Sequence, residues 1–179
     1  MARDDPQVRA EGAGAVETAA IEGLRLAKAT VATAESLTGG LVAAALTAVP
    51  GASAVVRGGV IAYATDLKAT LAGVPADLLE RDGPVAASTA HEMAAGVRLR
   101  CASTYGVATT GVAGPDHQDG YPPGTLHVAV AGPGGVRVES FTGLAGDRAA
   151  VRRAAVRHAV ELLIAVVDAD RESRSTRMR

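Results

Sequence analysis

The sequence predicts an α/β domain with a mixed sheet, one β-hairpin and helices on both faces. Three observations carry that prediction. Helical and strand-like apolar stretches alternate along most of the chain. The run Gly132-Pro133-Gly134-Gly135 sits between two β-rich segments, which marks a hairpin. Hydrophobic residues make up 48% of the 179 positions but aromatics only 2%, so the core is built from Ala, Val and Leu. That length fits one domain better than two and suffices for a real core.

The elements follow in order. Residues 1–13 read as a loose terminus. Residues 14–28 place Val16, Ala19, Ala20, Leu24 and Ala27 at helical spacing. Thr30–Glu35 is a short strand. Thr38–Val49 is Ala-rich and helical, stopped by Pro50-Gly51. Val55–Ala64 has the β-branched content of a strand, with Val56, Val60, Ala62 and Ala64 on one face and Arg57, Ile61 and Tyr63 on the other. Short helices are expected at Thr65–Ala72 and Pro75–Arg81, and a longer one at Ser88–Ala102. Thr104–Thr110 is a strand, followed by a Gly/Pro loop to Gly124. Thr125–Ala131 and Val136–Phe141 flank the hairpin turn. Asp147–Val167 is the last helix, and 168–179 is expected to be a solvated, disordered tail without an apolar face.

Composition excludes several classes. Lys plus Arg is 18 and Asp plus Glu is 19, a net charge of −1, which argues against a global attraction to nucleic acid or an acidic membrane. A single cysteine, Cys101, allows no internal disulfide, so a reducing compartment is expected. The apolar runs reach only about a dozen residues, short of a bilayer span. No signal-peptide pattern opens the chain. These features lead us to expect a cytoplasmic protein.

The first candidate for chemistry is Thr33-Ala34-Glu35-Ser36-Leu37-Thr38-Gly39-Gly40. A strand ends, a serine follows, and glycines open a helix. The Ser36 hydroxyl then lies beside unpaired N–H groups that suit an oxyanion or a phosphate. The plainer reading makes Ser36 or Thr38 an N-cap. The four histidines, His91, His117, His127 and His158, show no ligand spacing, so no metal is expected.

Tyr63 and Lys68 are stronger partners for the serine. Thr65 is expected to cap a short helix with Lys68 at its third position, where the helix field disfavours an ammonium and lowers its pKa toward that of a general base. The ordinary alternatives are a solvated lysine and a tyrosine packed on the sheet. Arg57 is expected to point the same way as Tyr63. A second glycine-rich element, Thr109-Thr110-Gly111-Val112-Ala113-Gly114-Pro115-Asp116, follows a strand but matches no standard phosphate-loop pattern. Arg148, at the start of the last helix, is placed to reach a phosphate. Otherwise Arg148, Arg152 and Arg153 read as an ordinary solvated face.

Five blocks in this order resemble one family: TAESLTGG at 33–40, RGGVIAYATDLKATLAGV at 57–74, TTGVAGPD at 109–116, PPGTLHVAV at 122–130 and FTGLAGDRAAVRRAA at 141–155. They are similar to the CinA C-terminal domain family, the nicotinamide-nucleotide amidohydrolases, over about residues 14–167. The resemblance implies a three-layer α/β/α fold, a homodimer, and hydrolysis of the carboxamide of nicotinamide mononucleotide with no metal or cofactor. It implies that Ser36, Tyr63 and Lys68 are catalytic. It places its nucleotide-binding threonine–glycine loop on Thr109 to Gly114, and with the positions singled out above the candidates for substrate and phosphate binding are Thr38, Gly39, Gly40, Arg57, Thr109, Gly111, Gly114 and Arg148. Longer members carry an N-terminal domain linked to a metal-dependent pyrophosphatase, an activity not expected here. The sequence departs from the family pattern at Leu37, usually cysteine, and at His117-Gln118-Asp119, usually glycines. Two other functions stay open: an amidase for a different carboxamide, and a nucleotide-binding module without turnover.

Overall fold

A computed structural model describes residues 6–177, with side chains described for 14–176. The first helix, α1, spans Pro6–Leu26. It is followed by β1 (Val31–Glu35), α2 (Leu41–Thr47), β2 (Val56–Ile61), α3 (Thr65–Thr70), α4 (Ala76–Asp82) and α5 (Ala87–Arg100). The chain continues through β3 (Tyr105–Val112), β4 (Thr125–Gly132), β5 (Gly135–Phe141) and α6 (Arg148–Arg177). The five strands form one mixed sheet in the order β2-β1-β3-β4-β5. β1 pairs parallel with β2 and β3, while β3-β4 and β4-β5 are antiparallel. The fold is three-layered, α/β/α.

Strand alternation sorts the core by size. One face presents Val31, Tyr105, Val107, Leu126, Val128 and Val130 to α1, α2 and α6. The other presents Ala32, Ala34, Ala108, Ala129 and Ala131 to α5. The alanine face brings α5 very near the sheet: a Cβ on Gly106 would run into the Ala94 carbonyl. The small side chains of this face thus become close packing of α5 on the sheet.

The chain ends differ from the sequence expectation. Within 1–13, residues from Pro6 onward belong to α1, and 1–5 lie outside the described residues. The tail expected at 168–179 is helical as far as Arg177. An Asp168–Arg171 pair one turn apart at 3.2 Å supports it. The Tyr105 hydroxyl also donates to Asp170 at 3.1 Å. Burial and that carboxylate push the Tyr105 phenol up to about 12, so the contact persists at neutral pH. Among the described residues, no helix is long and apolar enough to cross a membrane.

Candidate active site

Parallel strands leave their C-terminal ends at one edge of the sheet, and ligand sites in open α/β sheets gather there. β1 ends at Glu35 and delivers Ser36, whose N–H donates to the Thr109 carbonyl of β3 at 3.0 Å. The chain must reverse immediately to enter α2. Gly39 and Gly40 make that turn in the left-handed region, at φ 58° and 97°, where a side chain would be strained.

Neither Ser36 nor Thr38 caps α2. Its N-cap is Gly40, which offers no side-chain cap. The capping group is Glu35, which is buried and accepts from the N–H groups of Gly40 (2.9 Å), Val42 (3.0 Å) and Ala43 (2.8 Å). A carboxylate from the preceding strand therefore neutralises the positive end of the helix, and the serine hydroxyl is left available.

Lys68 completes the centre. Its ammonium donates to Ser36 Oγ at 3.0 Å and to the Ala62 carbonyl at 3.0 Å. The side chain is only 2% exposed. Burial lowers its pKa from 10.5 to about 8, opposed by the negative charge of Asp119. The cause is desolvation rather than the helix field inferred from sequence. Indeed α3 begins at Thr65 after an Ala64 cap and has six residues, which places Lys68 in its last turn. Neutral Lys68 can keep one N–H on Ala62 and turn its lone pair to the Ser36 hydroxyl.

The other expected residues divide into three groups. Thr38 and Thr109 are buried behind the serine, with their hydroxyls 2.7 Å apart. Tyr63, Arg148 and Gly114 form a second cluster: Arg148 donates to the Tyr63 hydroxyl at 2.6 Å and to the Gly114 carbonyl at 2.8 Å. Among the described residues, Tyr63 makes no hydrogen bond to Ser36 or Lys68.

Arg57 and Gly111 fall outside the site. The β1-β2 register shifts between Val31 and Ala32, a bulge that breaks the simple alternation assumed for β2. Arg57 sits at that bulge, beside the start of β1, and its Nε–H donates to the Cys101 carbonyl. Gly111 lies within β3, opposite Leu126, where a Cβ would run into the Thr125 carbonyl. It serves close strand pairing, because β3 extends to Val112 and the loop begins after it.

Glu35, Arg152 and Asp119 were not singled out from sequence. Arg152 donates from Nε to the Leu37 carbonyl at 3.0 Å and from Nη2 to the Thr38 carbonyl at 2.8 Å. Glu35 was masked in the sequence because Ser36 and Thr38 stand nearer the helix as capping candidates. Asp119 carried only the hint that the 117–119 stretch departs from the family pattern. Nothing in the helical pattern of α6 distinguishes Arg152 from Arg153.

A family model described as the CinA C-terminal domain matches residues 14–167. A CinA-like protein of Frankia casuarinae is 54% identical over 135 residues, covering 75% of this chain and 31% of its own length. A CinA-like protein of Myxococcus xanthus is 46% identical over 145 residues, covering 80% and 34%. The chain thus spans about a third of the length of these relatives. The crystal structure of a competence/damage inducible protein from Agrobacterium tumefaciens superposes with a TM-score of 0.79 at 38% identity, covering 84% of this chain and 94% of that one. A CinA superfamily protein from Escherichia coli gives 0.81 at 31% identity, covering 85% and 88%. With its family model spanning most of the molecule and the sheet and helices matching solved relatives, the chain belongs to the CinA C-terminal domain family.

Proposed function

We propose that the protein is an amidohydrolase that converts the carboxamide of nicotinamide mononucleotide to the carboxylate and ammonia. The observation that carries this reading is the 3.0 Å contact between Ser36 Oγ and a buried Lys68 amine. The family resemblance supplies the substrate, and the geometry supports the chemistry.

Ser36 Oγ attacks the carboxamide carbon as its proton passes to neutral Lys68, and the carbonyl π pair moves to oxygen. The tetrahedral oxyanion needs donors, and the turn narrows the choice. The N–H groups of Gly40, Val42 and Ala43 are held by Glu35. Those of Gly39 and Leu41 donate to the Ser36 and Thr38 carbonyls. Among the described residues, the Leu37 and Thr38 N–H groups have no acceptor, and an amide just after a nucleophile is a common oxyanion donor. Collapse of the intermediate breaks the C–N bond, and the proton on Lys68 leaves with nitrogen as ammonia. Water then attacks the ester, again losing a proton to Lys68. Return of that proton to Ser36 Oγ releases the acid.

Tyr63 and Arg148 border the site rather than enter the proton path. Arg148 spends two of its five N–H donors on Tyr63 and Gly114, which leaves three for a substrate phosphate. Assembly as a homodimer belongs to the same reading and is measured by light scattering.

The test is ammonia release from nicotinamide mononucleotide. Ser36→Ala is expected to lower turnover by about 10³-fold or more while leaving substrate binding within a few-fold. Undiminished turnover in that variant removes Ser36 from the mechanism. Release from other carboxamides but not this one keeps the Ser/Lys centre and changes the substrate.

A further inference from the structure

We propose that Arg152 is a positioning residue that strengthens both oxyanion donors by polarising the peptide units that carry them. The inference rests on the amidase reading above, and its basis is the bonding order of the turn. Each backbone carbonyl shares a peptide unit with the N–H of the next residue, so a hydrogen bond donated to the oxygen strengthens that N–H as a donor.

Arg152 Nε–H donates to the Leu37 carbonyl at 3.0 Å, and the other end of that unit is the Thr38 N–H. Arg152 Nη2 donates to the Thr38 carbonyl at 2.8 Å, and the other end of that unit is the Gly39 N–H. Gly39 N–H in turn donates to the Ser36 carbonyl at 3.0 Å, whose unit ends in the Leu37 N–H. One guanidinium thus feeds two short chains, one ending at Thr38 N–H and the other at Leu37 N–H. These are the two amides of the turn without an acceptor among the described residues.

Three further observations fit this arrangement. Arg152 is half-buried, and no carboxylate among the described residues pairs with it, so its charge is directed at the turn. The spacing of Nε and Nη2 matches adjacent carbonyls, which a lysine ammonium cannot engage with the same fork. A Cβ on Gly39 would lie 3.4 Å from Arg152 Nη2, so the glycine turn and the arginine fit each other closely. Glu35 takes the amides of Gly40, Val42 and Ala43 and leaves the two polarised ones for the reacting oxygen.

Losing an oxyanion donor costs about 10²–10³ in rate, and polarisation contributes roughly a fifth of a bond, so weakening both donors predicts about a tenfold fall in kcat. The experiment compares wild type with Arg152→Met and Arg152→Lys on nicotinamide mononucleotide and on its thiocarboxamide analogue. A sulfur anion accepts hydrogen bonds poorly, so it gains little from better donors.

Arg152→Met is expected to lower kcat on the carboxamide about tenfold with KM within about two-fold, and to lower the carboxamide-to-thiocarboxamide rate ratio by several-fold. Arg152→Lys is expected to fall between the two and serves if Arg152→Met does not fold. An equal loss on both substrates, or no loss, overturns the role of Arg152 while the amidase reading stands. If wild type releases no ammonia from either substrate, the substrate reading fails, and labelling of Ser36 by a fluorophosphonate decides alone. Labelling slowed several-fold in Arg152→Lys supports the inference, and an unchanged rate overturns it.

Discussion

The Ser36–Lys68 pair and the Tyr63–Arg148 pair lie near one edge of the same sheet and are built on opposite principles. Lys68 is 2% exposed, whereas Tyr63 is 55% exposed. Burial sets the proton affinity of the first pair, bringing an amine to about 8 without an adjacent cation. The second pair is open to water, and its strength lies in geometry: one guanidinium ties a tyrosine to the loop after β3 through two hydrogen bonds. The contrast teaches that the reacting atoms are tuned by exclusion of water, while the rim is organised by short polar contacts that remain adaptable.

The most severe way to break that contrast is Lys68→Met. We expect ammonia release to fall by about 10³-fold or more. In wild type the reactive form is the neutral amine, so kcat/KM should rise about tenfold per pH unit below 8 and level off above it. A profile flat from pH 6 to 9 contradicts a lysine base. Stability offers a second readout. The folded pKa of about 8 lies below the ordinary 10.5, so the unfolded chain holds more protons between those values. Wild-type stability should therefore climb relative to Lys68→Met from pH 8 to 10.5, by about 3 kcal/mol, as measured by urea unfolding.

Tyr63→Phe sharpens the comparison from the other side. It removes the acceptor for Arg148 at an exposed position, and we expect kcat/KM to fall by about three- to ten-fold with the pH limb unmoved. A shift of the limb shows instead that Tyr63 takes part in the proton path. The smallest effect belongs to Arg57→Gln. Its guanidinium is committed to Cys101 at the far end of β2, so steady-state constants should stay within about two-fold of wild type.

Ser36 and Lys68 were legible in the sequence because each belongs to a local pattern: a strand running into glycines, and a lysine shortly after a strand. The α/β alternation and the hairpin were legible for the same reason. Arg57 was misplaced because period-two reasoning assumes an unbroken ladder, and a bulge at Val31/Ala32 shifts the register. Gly111 was misread because a glycine in a strand and a glycine in a loop look alike until the pairing partner is known. Arg152 was hidden more deeply, since its partners, the carbonyls of Leu37 and Thr38, lie more than a hundred residues away. Side chain-to-backbone contacts across such separations leave no periodicity to detect.

The anchoring of Tyr105 by Asp170 bears on where the chain can be trimmed. The stretch matched by the family model stops at 167, three positions before the aspartate that receives this phenol. A protein shortened at that limit would keep every residue near Ser36 yet strand a core hydroxyl beneath the hairpin, where Gly132 and Gly134 leave room for the tyrosine ring and the aspartate. The recognisable domain therefore stops short of the acid on the last helix that fastens the first residue of β3.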